Sequence, residues 1–368
     1  MNNSLPRAPY MEWAKARPTP VFDLAASAVA ACTLDELPGA RDVLELTGGN
    51  NNGYPPLLDA IASAHGVGPD CVATAQGASG ANFLACAALA GPGDDVLIER
   101  PAYDPLLAIP RLLGARVVRF ERRPERGFAL DPAEVQAAIT PKTRIVVLTS
   151  PHNPTGATAT EDVLLEVERI AARVGAVVMV DEVYLDASPD ERPRPAARLG
   201  PGFVSTSSLT KSYGLAGLKC GWTIASPEIT ERVRRARDIV DGSGAFPAER
   251  LAALAFSQLD RLRRRAHEIL GPNRRRAIEF LRGRPEIEVV EPQGGTVVFP
   301  RLRDAPSSDA LAAWLLDRER TAIVPGRFFE APAHCRIGFG VRPEMLDGGL
   351  AALARALDQG RHRQNFRI

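Results

Sequence analysis

The residues of this chain best suited to chemistry lie in the run Ser208-Leu209-Thr210-Lys211-Ser212-Tyr213-Gly214-Leu215-Ala216-Gly217-Leu218-Lys219, where an amine stands among hydroxyls and glycines. Lysine is scarce. Of 45 basic side chains only Lys15, Lys142, Lys211 and Lys219 are lysines, so arginine supplies nearly all of the positive charge. An amine does what a guanidinium does not: it loses a proton near neutral pH and attacks a carbonyl to form a Schiff base. A solvated lysine on a loop is the ordinary alternative, and the neighbours decide between the two.

Three further loops carry groups of matching kinds. Gln76-Gly77-Ala78-Ser79-Gly80 follows a short strand signal and opens a helix, where backbone N–H groups approached closely past glycine bind phosphate; alone, such a segment is also a plain helix start. Ser150-Pro151-His152-Asn153-Pro154-Thr155-Gly156 follows the apolar run RIVVLT, and its prolines and glycine set a tight turn holding the Asn153 amide toward a ligand oxygen. His152 is read as loop filler. Val180-Asp181-Glu182-Val183-Tyr184 ends the run AVVMV, placing an acid at the rim of a buried sheet, where an unpaired carboxylate is costly and wants a cation. Tyr184 offers a phenol to the same ligand. A phosphate cup, an amide, a carboxylate, a phenol and a Schiff-base amine are together what pyridoxal 5'-phosphate (PLP) requires: its aldehyde needs Lys211 and its ring nitrogen a carboxylate.

The elements that must position these groups follow from the hydrophobic pattern. Strands are predicted over 95–98, 116–120, 144–149, 176–180, 203–207 and 220–225, alternating with helices over 79–90, 131–139 and 161–174. Runs apolar on both faces suit central strands covered by helices, and the alternation predicts a mostly parallel α/β sheet with its functional loops beyond the carboxyl ends of the strands. A long helix is predicted near 247–270, followed by a smaller α+β part with strands near 287–291, 296–299, 321–324 and 336–339. The expected division is a large domain over 41–246 and a small one from 1–40 and 247–368.

With those motifs in view, the chain resembles the fold type I PLP enzymes of the class I/II aminotransferase family. The resemblance runs from GYPPLLDAIA at Gly53 to RIGF at Arg336 and is carried by SPHNPTG, VDEVY and SLTKSYGLAGLKCGW together. It implies a large domain with a mostly parallel seven-stranded sheet flanked by helices, plus the smaller α+β domain. It also implies that Lys211 forms the Schiff base and shuttles protons, and that Asp181 keeps the pyridine nitrogen protonated. Asn153 and Tyr184 would bond the ring hydroxylate, and Tyr103 would stack on the ring. The Gly77 loop through Ala78 and Ser79, with Ser208 and Lys219, would hold the phosphate, and Arg336 would clamp the substrate carboxylate, with Asn153 beside it. The reaction implied is amino-group exchange between an amino acid and a 2-keto acid in a homodimer whose active site lies at the subunit interface. Another PLP reaction is the alternative: β-elimination, decarboxylation or cyclisation, since members of this superfamily that make cyclic arginine derivatives share much of the motif set.

Two positions depart from the family. Lys219 stands where arginine is usual, which keeps the charge and loses the fork. LTGGNNNG, with Gly48 and residues 50–52, replaces a segment that often carries a tyrosine reaching the neighbouring subunit's phosphate. The 23–27 stretch is expected to line the pocket with small groups only.

Composition sets the outer bounds. The 368 residues, 45% hydrophobic and 24% charged with a net charge of +1, describe a globular chain without an electrostatic footprint for nucleic acid or an anionic membrane. Five scattered cysteines suggest neither a disulfide framework nor a metal site. No signal peptide or apolar span is evident, and a cytoplasmic enzyme is expected. Aminotransferase-like transcription regulators carry an added DNA-binding segment, for which the stretch before residue 40 is expected to be too short. A nicotinamide fold is disfavoured because no GxGxxG follows a first strand, and GGNNNG lacks the Lys-Ser/Thr of a P-loop.

Overall fold

A computed structural model of the chain describes residues 5–188 and 194–362. Residues 1–4, 189–193 and 363–368, which the expected division includes, lie outside them. The central element is a seven-stranded sheet with the spatial order Val72–Gln76, Cys220–Ile224, Phe203–Ser208, Val177–Asp181, Thr143–Thr149, Asp95–Arg100 and Arg116–Glu121. Only Cys220–Ile224 runs against its neighbours; every other pairing is parallel. The mostly parallel seven-stranded α/β sheet is therefore as predicted.

Burial on both faces is why the central runs read as continuous hydrophobic segments. Val147, Met179 and Val204 pack with Ala81, Leu84 and Ala85 of the Gly77–Leu89 helix on one face. Val146, Leu148, Val178 and Val180 pack on the other with Leu164, Val167 and Ile170 of the Glu161–Ala172 helix. Each such fully buried aliphatic side chain contributes about 1.5–3 kcal/mol. The Glu161–Ala172 helix starts where the Thr160 side chain accepts from the Val163 N–H, and Pro132–Ala138 where Asp131 accepts from the Ala133 N–H. Because the strands are parallel, Thr149, Asp181 and Ser208 emerge along one edge of the sheet.

The helix predicted near 247–270 is two helices, Phe246–Ser257 and Leu259–Arg282, parted at Gln258, whose φ of −118° and ψ of 19° leave the helical region. The first buries Ala252, Ala255 and Phe256 with Leu57, Ile61 and Trp222 of the sheet's own layer, whereas Ala266, Leu270, Ala277 and Ile278 of the second join the core of the C-terminal part. The strand signals of that part shrink to short pairs. Val297–Val298, Cys335–Gly338 and Val324–Pro325 form a three-stranded sheet, and Ile287–Glu288 pairs with Arg301–Leu302.

Phe22–Asp23 pairs in parallel with Thr321–Ala322, while Leu24 and Val29 enter the same core as Ile337 and Phe339. We propose the division into 41–246 against 1–40 with 247–368 on these contacts, amended so that Phe246–Ser257 stays with the sheet. Among the described residues no helix is long and apolar enough to cross a membrane.

Candidate active site

The strand ends, the Gly77–Leu89 helix and the N-terminal segment enclose a cavity of about 270 Å³. Gly77, Ala78, Ser79, Tyr103, Asn153, Asp181, Tyr184, Ser208, Lys211 and Lys219 all line it, so residues up to 142 positions apart in the chain meet at one place. Arg336 does not line it; its guanidinium stands one layer behind.

Lys211 is half-buried and lines this cavity. Its Nζ donates to Ser27 Oγ at 2.8 Å. Burial, and after it the positive charge of Arg336, pull the amine down to about 8, against the opposing pull of Asp181. A sizeable fraction of the amine is therefore neutral, and nucleophilic, near physiological pH.

Asp181 sits at the end of its strand, 5% exposed. Its Oδ2 accepts from Asn82 Nδ2 at 2.8 Å and its Oδ1 from the Val183 N–H at 3.1 Å. Thr206 Oγ1 donates to Asn82 Oδ1 at 2.5 Å, which fixes which end of the amide faces the acid. Burial still holds the carboxyl above its ordinary value, with these bonds and Lys211 opposing. A buried acid in that state is stabilised further by a cation close by, and the cavity is where one would stand.

The shape of the Gly77 loop depends on two glycines. Gly77 takes a φ of +70°, and a Cβ on Gly221 would lie 2.2 Å from the Gly77 carbonyl carbon. Only a bare backbone lets the helix start rest on the Cys220–Ile224 strand, where the Gly77 N–H donates to the Lys219 carbonyl at 2.6 Å. Ala78 and Ser79 then present first-turn N–H groups beside Ser208 and Lys219, a ready anion site.

Across the cavity, Arg336 is 1% exposed and its charge is already engaged. Its Nη1 donates to Asn153 Oδ1 at 3.0 Å; its Nη2 donates to Tyr10 Oη at 2.8 Å and to the Ala25 carbonyl at 3.1 Å; its Nε has no partner. The rings of Tyr10 and Phe329 cover it at 5.2 and 5.1 Å. Because Asn153 uses its oxygen on Arg336, its amide N–H groups are left for a ligand. Tyr103 meets Tyr10 edge-on at 5.6 Å and donates its hydroxyl to Met11 Sδ at 3.2 Å.

Sequence reasoning missed several groups. Ser27 is more than a small filler, since it holds the Lys211 amine. Asn82 was detectable as the one polar residue after Ser79 in an otherwise small and apolar helix, SGANFLACAALA. Tyr10 gave no signal in its proline-rich segment. His152 is not loop filler: it is fully buried, one ring nitrogen bonded to Thr155 Oγ1 at 2.7 Å and the other to the Pro101 carbonyl at 3.0 Å. It ties the loop of Asn153 to the loop of Tyr103.

Whether the residues fit PLP is tested by what the cavity leaves unsatisfied. The hydroxyls of Tyr184 and Thr149 are enclosed at its wall without a hydrogen bond of ordinary geometry. Ser27 lies near enough to Tyr184 to favour the ionised phenol, an effect that burial outweighs. A polar ring substituent, a ring cation and a phosphate match, in turn, the idle hydroxyls, Asp181 and the helix start. Fold and cavity are those of a fold type I PLP-dependent enzyme.

The sequence profile of the family Aminotransferase class I and II matches residues 40–353, and the chain belongs to that family. It is 34% identical to capreomycidine synthase of Streptomyces vinaceus, over 96% of this chain and 94% of that one. The structure is similar to that of a PLP-dependent aminotransferase from Streptococcus suis, with a TM-score of 0.91, 28% identity and coverage of 97% and 98%. It is similar as well to the PLP-dependent cyclase OrfR, with a TM-score of 0.89, 27% identity and coverage of 98% and 99%.

Proposed function

We propose that Lys211 holds PLP in this cavity and moves the proton at Cα of a free α-amino acid whose amino group is exchanged with a 2-keto acid. The observation that carries this reading is the placing of a desolvated amine, a buried acid and a helix N-terminus around one cavity. When bound, PLP supplies an electron sink for a bond broken at Cα.

The protein's own groups do the rest. Asp181, held by Asn82 and the Val183 N–H, would hold the ring nitrogen's proton. Asn153 and Tyr184 would take the ring oxygen, Tyr103 would cover the ring, and Ala78, Ser79, Ser208 and Lys219 would take the phosphate. Arg336 attracts the substrate carboxylate from behind Asn153 and Tyr10. Of its five donors three are engaged, so a carboxylate that reaches it displaces the Tyr10 hydroxyl or uses the idle N–H groups. Met11, Ala14 and Leu106 form an apolar outer wall.

A second reading has a specific observation behind it. The capreomycidine synthase similarity extends over nearly all of both chains, and a cyclase stands among the similar structures. Under this reading the substrate loses a side-chain substituent and closes a ring, without a 2-keto acid. The two readings share every step up to removal of the Cα proton and part at the β-carbon. A product-resolved screen of amino acids with the PLP-loaded protein separates them. Exchange products that require an added 2-keto acid support the first, and ring or elimination products formed without one support the second. Neither with any amino acid contradicts both.

A further inference from the structure

We propose that a second cavity, behind the wall that carries Tyr184, binds a small organic carboxylate with an apolar body and acts through that wall on the bound PLP. The site goes beyond both readings above and does not depend on which reaction the Lys211 cavity performs.

The second cavity measures about 620 Å³ and lies between the Leu259–Arg282 helix and the chain around Ser188 and Gly294. That is the size of an ordinary small-molecule site. The helix builds one wall from two neighbouring rows at four-residue spacing: His267, Gly271, Arg275 and Glu279 in the first, Leu270, Arg274, Ile278 and Arg282 in the second. Leu270, Ile278 and Phe339, all buried, make up the apolar part of the lining. Gly271 leaves the first row open at its middle, since a Cβ there would meet only Arg275 Nη1, at 3.8 Å.

The polar part of the lining is not balanced. Arg274, Arg275 and Arg282 stand against only Glu279 and Glu291. Glu291 is shared, its Oε1 3.4 Å from Arg274 Nη2 and its Oε2 2.6 Å from Arg282 Nη2, while Arg275 makes no ion pair among the described residues. Ser188 is 7% exposed, and neither its Oγ nor Arg274 Nε has a hydrogen-bond partner among the described residues. Polar groups left so are costly unless a ligand meets them. A spare guanidinium, an idle hydroxyl and an idle N–H suit the two oxygens of a carboxylate, and a single excess positive charge suits a monoanion. The buried aliphatic and aromatic side chains suit an apolar body attached to it.

Gly294 and Gly295 part the two cavities. A Cβ on Gly294 would stand 2.8 Å from Pro151 Cγ, and one on Gly295 3.7 Å from Tyr184 Cβ. The backbone that lines the second cavity therefore packs directly on the loop of Asn153 and on Tyr184, which lines the first. An occupant that holds this backbone in one arrangement biases the groups assigned to the PLP ring oxygen.

The test is calorimetric titration of the PLP-loaded protein with 3-phenylpropanoate, which has neither an amine nor a keto group to react at the cofactor, and with its neutral amide. Saturable binding with a Kd on the order of 0.1–1 mM is expected, about tenfold weaker for the amide. Gly271→Trp, which fills the cavity, should abolish binding. The exposed Arg275→Glu, which leaves the core untouched, should weaken the carboxylate at least about tenfold and the amide little, and so decides the matter if Gly271→Trp does not fold. No binding by the wild type, binding that survives in Gly271→Trp, or an amide that binds as tightly as the carboxylate would each overturn the site. By reciprocity the Kd should differ at least about threefold between PLP-loaded and cofactor-free protein, and the probe should shift the visible absorbance of bound PLP. Equal Kd values with an unmoved spectrum would overturn the action on PLP.

Discussion

On the proposed reading, Lys211 and Lys219 serve the same cofactor in opposite ways. Lys211 is useful because it is desolvated, so the attacking neutral form becomes abundant near pH 8 rather than near the 10.5 of an ordinary lysine. The sign follows directly: PLP uptake by the cofactor-free protein should quicken as pH rises and level off above about 8. A rate still climbing past pH 10 would contradict the enclosed setting of the amine. Lys219 is useful as a charge. It is exposed, carries a φ of 50°, and lines the cup from the far side of the Gly77 N–H. Lys219→Ala should weaken PLP binding about tenfold, or about 1.4 kcal/mol, and Lys219→Arg should hold or tighten it. Affinity unchanged in Lys219→Ala would remove this residue from the phosphate site.

At the scale of elements, the loops of the site are held by a buried network that no motif announces. Arg122 Nε donates to Glu99 Oε2 at 2.7 Å, Glu99 Oε1 accepts from the Thr149 N–H at 2.7 Å, and Arg122 Nη2 donates to the Thr149 carbonyl at 3.3 Å. The pair thereby clamps the end of the Thr143–Thr149 strand just before the loop of Asn153, and His152 joins that loop to the one carrying Tyr103. Burial keeps His152 neutral, well below its ordinary value. Removing one partner leaves the other charge buried, so Arg122→Ala should cost about 3–5 kcal/mol in urea unfolding. Replacing Arg122 and Glu99 together by apolar residues of similar size should cost clearly less, and equal losses would mean that the charge pairing is not what matters. The sheet was readable in advance because strands covered on both faces, such as RIVVLT and AVVMV, must be continuously apolar. The network was not, because Glu99, Arg122 and His152 come from a strand end and two separate loops that only the fold brings together. Nor was the break at Gln258, where neither glycine nor proline marks the end of a helix. Ser27 was hidden for a related reason, lying 184 positions from the amine it holds.

For the whole molecule, the structure shows how the unusual LTGGNNNG segment is used within its own chain. Gly48 lies where a Cβ would meet the Phe246 ring at 1.9 Å. Asn50 turns inward, its Nδ2 donating to the Gly244 carbonyl and to Glu249 Oε2, both at 2.8 Å, and is not free for a neighbouring subunit. Asn51 and Asn52 remain exposed. Exposed apolar residues accompany this segment: Leu44 just before it, Leu46 as its first residue, and Ile239 and Val240 a few residues before Gly244 in sequence. We propose that a second copy covers them. Light scattering should give twice the 39.5 kDa chain mass, and Leu46→Asp with Ile239→Asp should lower it to one chain. A wild-type mass of one chain would refute the dimer.

All of these proposals presuppose one covalent bond, and its position can be measured. Reduction of the PLP-loaded protein with borohydride, digestion and peptide mapping by mass spectrometry should find the pyridoxyl group on the peptide carrying Lys211, with Lys219 unlabelled. A label on Lys219 or on any other residue, or no label at all, would contradict the account.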